Sequence, residues 1–165
     1  MNYQFKAGSI PLLVSMPHVG TDIPDDIAAR MAPAATERAD TDWHLVKLYG
    51  FLGEMGASTL SARWSRYVID LNRPPEDTNL YPGQDTTGLC PLDTFHREPL
   101  YLPGFPPSDE EVAERIRVYW RPYHERLQSA LWVKQVSTNN QVQLVPPGHV
   151  VAGAGRDAYQ KGKTD

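Results

Sequence analysis

Three short stretches carry side chains whose types and spacing could do chemistry. The first is His18, which follows the apolar run Pro11–Met16 and Pro17. Its imidazole suits metal ligation or proton transfer near neutral pH. Alone it is a weak signal, because a single histidine after a strand is more often a hydrogen-bonded loop residue. The second is Asp40-Thr41-Asp42-Trp43-His44. Two carboxylates and an imidazole within five positions offer hard oxygen and borderline nitrogen donors, fitting Zn²⁺ or a similar divalent ion. The same residues serve equally to start a helix, with Asp40 or Thr41 as cap and Asp42 favourable against the helix dipole. Taken alone, that capping role is the favoured reading of the run.

The third stretch is Ser65-Arg66-Tyr67-Val68-Ile69-Asp70-Leu71-Asn72-Arg73. Alternation predicts a strand over 67–71, with Arg66, Val68, Asp70 and Asn72 on one face and Tyr67, Ile69 and Leu71 on the other. Two arginines near a strand end can hold a carboxylate through paired charge-assisted hydrogen bonds, with Asp70 orienting one of them. Ordinary surface ion pairs are the bland alternative. Cys90, the single cysteine, has no adjacent His or cation to activate it and reads as a small buried apolar residue. His96 and His124 read as structural. Tyr81-Pro82-Gly83-Gln84 and Thr86–Pro91 read as shaped turns.

The elements that must position these groups follow from patterning. A buried strand is expected over 11–16, ending at Pro17, then a loop in which Gly20 permits unusual backbone angles, and a short helix over 25–31. Leu45, Leu48, Leu52 and Met55 recur at helical spacing, so a helix is expected from Asp40 to about Gly53, with Gly53 and Gly56 at its end. Ala57–Arg63 reads as a strand. Prolines at 74, 75, 82, 91, 99, 103, 106 and 107 make residues 72–107 one long loop system, read as wrapping one side of a site. Ser108 with Glu111 predicts a capped helix start, and Val112, Ile116, Tyr119, Tyr123 and Leu127 mark its apolar face, with Pro122 kinking or splitting it. Strand, loop, helix and strand in this order argue an α/β domain, with its ligand site beyond the carboxyl ends of the strands, where His18 falls.

Composition narrows the function. A length of 165 residues fits one domain, and 41% apolar residues support a core. A net charge of −4 without a basic cluster argues against nucleic-acid binding. One cysteine excludes an internal disulfide and a thiolate zinc site. No apolar stretch is long enough for a membrane span, and the N-terminus lacks the layout of a signal peptide, so a cytoplasmic protein is expected. After Leu131 the character changes. Residues 1–133 are read as the patterned part and 134–165 as a divergent, poorly ordered tail.

Several of these runs together resemble the N-formylglutamate amidohydrolase family: Ser15-Met16-Pro17-His18-Val19-Gly20-Thr21-Asp22-Ile23-Pro24, Asp40–His44, Leu48-Tyr49, Ser65–Arg73 continuing to Pro74, Tyr81-Pro82-Gly83, Thr87–Pro91 and Pro122-Tyr123-His124. Their order and spacing agree over roughly residues 8–131. The resemblance implies an α/β, zinc-carboxypeptidase-like (phosphorylase/hydrolase-like) fold and a metal-dependent hydrolase, cleaving N-formyl-L-glutamate to formate and L-glutamate in histidine degradation. It implies His18 and Asp42 or Asp40 as ligands of a divalent ion, zinc first, and Arg66, Asn72 and Arg73 as the grip on the substrate carboxylates.

The resemblance also shows a departure. Family members continue into an Asp-x-His-Ser run, with a further metal-site histidine and the general base in that second half. Neither is found here, and His149 lacks the context. The expectation is therefore an incomplete fold, active only if a further ligand is found, with catalytic residues lying in the absent half. The alternatives are a catalytically inactive fragment that keeps affinity for acidic amino acids, or an amidohydrolase for another N-acyl acidic amino acid. Exposed apolar surface is expected where the absent strands would pack.

Overall fold

The computed structural model describes residues 1–78 and 87–131, and the backbone of 133–136 and 142–145. The Tyr81–Gln84 turn, His149 and most of the 134–165 tail lie outside the described residues.

Short strands with apolar, β-branched and hydroxyl side chains build a three-stranded sheet. Strand β1 (Tyr3–Lys6), β2 (Leu13–Met16) and β3 (Ser58–Ala62) lie in the order β1-β3-β2. β1 runs antiparallel to β3, with Tyr3 opposite Ala62, and β2 runs parallel to it, with Leu13 opposite Ser58. Period-two alternation sends neighbouring β2 residues to opposite sides. Leu13 joins Leu60, Ala62 and Tyr123 in one core cluster, while Val14 and Met16 join Leu52 and Ala57 in another. The architecture is mixed α/β, as expected. In the tail, β4 (Val133–Val136) and β5 (Val142–Val145) pair antiparallel.

Three expected elements differ. The helix over 40–53 is instead a turn, one helical turn α3 (Leu45–Leu48) and a 3₁₀ turn at Gly50–Leu52. Tertiary bonds take the first residues away from helical pairing: the Asp42 amide donates to the His18 carbonyl at 2.9 Å, and His44 stands in the left-handed region at φ 65°. The strand over 67–71 does not form. Val68 N–H turns back to Ser65 O and Asp70 N–H reaches Leu89 O. All of Ser65–Leu71 is buried, so alternation between a wet and a dry face has no meaning there. Gly20 is needed for closeness rather than for angle: a Cβ there would lie 2.2 Å from Trp64 O. The expected 25–31 helix is the single turn α1 (Asp25–Ala28), and α2 (Ala34–Glu37) follows.

The long helix forms as α4 (Asp109–Arg115), a π-helical stretch Ile116–Trp120 and α5 (Arg121–Leu131). Ser108 Oγ accepts from Glu111 N–H at 3.3 Å. The Glu111 carboxylate does not close the capping box; it is held by Arg30 and Arg115. Pro122 has no N–H for Val118 O, and the Asn2 side chain donates to that carbonyl instead. The widened turn absorbs the misfit without breaking the helix.

Candidate active site

β2 delivers Pro17 and His18 to its carboxyl end, and the loop behind it is fastened by Thr21 and Asp22 amides on Arg63 O. His18 Nε2 lies 2.7 Å from Asp70 Oδ1. The same carboxylate accepts from Asn72 N–H at 2.9 Å and, through Oδ2, from Arg66 Nη2 at 2.5 Å. Burial would raise the Asp70 pKa, but the His18 hydrogen bond and the Arg66 charge outweigh it and hold the group at about 2. Asp70 is thus an anion that only accepts, and the proton of a neutral His18 must sit on Nε2. That leaves the Nδ1 lone pair facing Asp42 Oδ2 across 3.9 Å. Two electron-rich groups facing each other require a cation or a proton between them.

His18 and Asp42 therefore suit a divalent ion in donor type and direction, with Asp70 as the outer carboxylate that fixes the imidazole. They are two donors, whereas a catalytic zinc takes three from protein. Among the described residues no group of three His, Cys, Asp or Glu is placed to hold a metal.

Asp40 stands apart from this pair. It is buried, its Oδ2 accepts from Phe95 N–H at 3.1 Å, and its own N–H donates to Tyr67 OH at 3.2 Å. Burial, reinforced by the nearby Asp40 carboxylate, pushes Tyr67 up to about 12. The three residues expected to grip substrate also divide. Arg66 is buried, bound to Asp70 and stacked 4.7 Å from the Phe95 ring centroid. Asn72 and Arg73 instead line a cavity of about 320 Å³ together with Pro17, next to His18. Arg73 Nη1 reaches Asp77 Oδ1 at 3.3 Å.

His124 lines the same cavity, a placement that sequence reasoning did not anticipate. Its ring stacks on Trp120 at 3.6 Å and donates from Nδ1 to Trp120 O, and burial lowers its pKa. These contacts suit the structural role read for it. The bond between His18 and Asp70 was also missed. Asp70 was read as an arginine partner, which it is, but no sequence signal joined it to residue 18. Cys90 is buried with its thiol pushed up to about 11 by burial, in keeping with a small core residue.

A mixed α/β layer with an aligned imidazole at the end of a parallel strand places the site in the ligand-binding class of such sheets. The sequence profile of the N-formylglutamate amidohydrolase family matches residues 10–146, and the chain belongs to that family. It is similar to the N-formylglutamate deformylases of Pseudomonas aeruginosa and Pseudomonas putida, 47% and 46% identical over 127 residues. The match covers 77% of this chain and 47% of each relative, so the chain spans about half the length of the curated relatives it matches. Among solved structures it is similar to an N-formylglutamate amidohydrolase from Ralstonia eutropha JMP134, with TM-score 0.63 and 27% identity over 78% of this chain and 50% of that one. It is also similar to gene product Atu2144 from Agrobacterium tumefaciens, with TM-score 0.57 and 25% identity over 78% and 49%.

Proposed function

We propose that this chain carries the His18-bearing half of an apparatus that hydrolyses N-formyl-L-glutamate to formate and L-glutamate, in a zinc-carboxypeptidase-like α/β domain. The observation that carries the reading is the alignment of His18 by Asp70, which aims Nδ1 at Asp42. His18 and Asp42 would hold a divalent ion, with a third donor from outside the described residues. When bound, such an ion supplies Lewis-acid polarisation of the formyl carbonyl and an activated water. Asn72 and Arg73, facing the cavity beside His18, would take a substrate carboxylate, since a planar guanidinium and an amide suit its two oxygens. Arg66 sets the charge beneath them by holding Asp70 ionised. The reading places the protein in the cytoplasm.

A second reading is favoured by one observation, the count of two donors: the chain alone is inactive and retains binding of acidic amino acids. Formate release from N-formyl-L-glutamate, with and without Zn²⁺ or Co²⁺, tests both. Metal-dependent turnover supports the first reading. No turnover from folded protein that still binds L-glutamate supports the second.

A further inference from the structure

Strand β2 combines two properties that rarely go together. Leu13, Val14 and Met16 are buried on both faces of the sheet, the signature of an interior strand. Yet β2 stands at the sheet's edge, and among the described residues no strand pairs with its outer side. The segment that flanks it has the same character. Trp43, Val46, Leu48, Tyr49, Phe51 and Met55 are all exposed, Leu48 by 67%. Only Leu52 in this stretch is fully buried. A cavity of about 580 Å³ opens between Val46 and Tyr49 on one side and the sheet residues Met16 and Thr59 on the other. Large contiguous apolar surfaces of this kind mark interaction sites.

We propose that the β2 edge and the apolar face Trp43–Met55 form a docking surface for a polypeptide of the kind that makes up the unmatched half of the relatives. Three observations select this occupant. The matched region accounts for 47% of each curated relative and 50% of the Ralstonia structure, so a comparable length of polypeptide packs somewhere on its counterpart. The apolar face begins at Trp43, the neighbour of Asp42, so a chain lying on it reaches the open side of the His18–Asp42 pair. That pair lacks a third donor among the described residues, and the docked chain is placed to bring one. The docking itself rests on family membership; only the expected activity rests on the functional reading above.

The test is complementation. The 165-residue chain is co-expressed, or co-refolded from urea, with the part of the Pseudomonas aeruginosa deformylase beyond the matched region. A 1:1 complex is expected. The chain alone should bind a dye that reports exposed apolar surface, and the complex should not. Leu48→Glu and Phe51→Glu change exposed side chains, so the fold of the chain should persist by circular dichroism while association weakens about tenfold or more. A complex sensitive to these changes but inactive on N-formyl-L-glutamate would uphold the docking surface and overturn the functional reading. Failure to form a complex by either route, association indifferent to both substitutions, a self-associated chain in its place, or an isolated chain that binds no dye would overturn the docking surface.

Discussion

Asp70 and His18 sit on separate loops, one after β2 and one after β3, yet Oδ1 and Nε2 stand 2.7 Å apart with the aspartate almost wholly buried. A buried carboxylate is tolerated because three donors converge on it: an imidazole, a guanidinium and a backbone amide. The pair therefore couples the alignment of the candidate ligand to the folding of the chain.

The first consequence is a pH dependence of stability. Asp70 has a folded pKa of about 2 against an ordinary 3.8. A depressed carboxylate contributes stability that is present above the unfolded value and lost as pH falls through the folded one. Urea unfolding should show a loss of about 2 kcal/mol between roughly pH 4.5 and pH 2 from this group. Asp70→Asn should remove that slope and cost about 3 kcal/mol at neutral pH, because Arg66 is left buried without its counter-charge. An unchanged slope in the variant would refute the assignment.

Asp42 and Asp40 should separate in a metal titration. Co²⁺ absorption bands and calorimetry are expected to show binding that His18→Ala abolishes and Asp42→Asn weakens about tenfold or more. Asp40→Asn should leave Co²⁺ binding in place while costing about 1 kcal/mol of stability, since Phe95 N–H loses a charged acceptor. Reversed behaviour of the two variants would make Asp40 the ligand.

Arg115 should matter to stability as much as any core residue. It is 1% exposed, donates to Val68 O and Tyr101 OH, and pairs with Glu111. Replacing it by Met leaves a buried carbonyl and a buried phenol without their donor, and denaturant unfolding should report a loss of about 3–5 kcal/mol. Because Val68 lies two residues before Asp70, the His18 imidazole resonances should shift in the variant. A loss under about 1 kcal/mol would contradict this role.

Cys90 should be inert while the chain is folded. The thiol is buried, with its pKa pushed up to about 11, so little thiolate exists near neutrality. Modification by a thiol-reactive reagent should proceed at the rate of unfolding and accelerate sharply in urea. Rapid labelling of native protein would be the contrary result.

These relationships were unevenly legible in the sequence. β2 and β3 could be read because their side chains alternate between two buried layers, and Ser108 because a hydroxyl three residues before a glutamate has a local use. The Ser65–Leu71 segment could not. Its conformation is set by distant groups: Arg115 takes the Val68 carbonyl, Leu89 O takes the Asp70 amide, and His18 and Arg66 take the carboxylate. Likewise Asp40–His44 has the composition of a helix start, but its polar atoms are bound by residues from other elements. His18 and Asp42 could be named as candidates from residue type alone. That they face each other, and that Asp40 turns away toward Phe95, depends on contacts that no local pattern encodes.

The position of β3 between its two partners also governs how the chain can fold. Tyr3 meets Ala62 and Leu13 meets Ser58, so neither pairing is a hairpin and each must close nearly all the intervening chain. Chain entropy opposes such closures until several contacts form together, which slows folding relative to locally wired domains. The helical run from Asp109 to Leu131 is wired locally, with its own cap and acidic first turn. It is able to form early and offer Tyr123 as a surface on which the three strands assemble. Sheet and helix would then lock in one late step. The hydrogen bond from Tyr123 OH to Leu60 O across that contact makes the central strand the last part of the sheet to gain, and the last to lose, protection from hydrogen exchange.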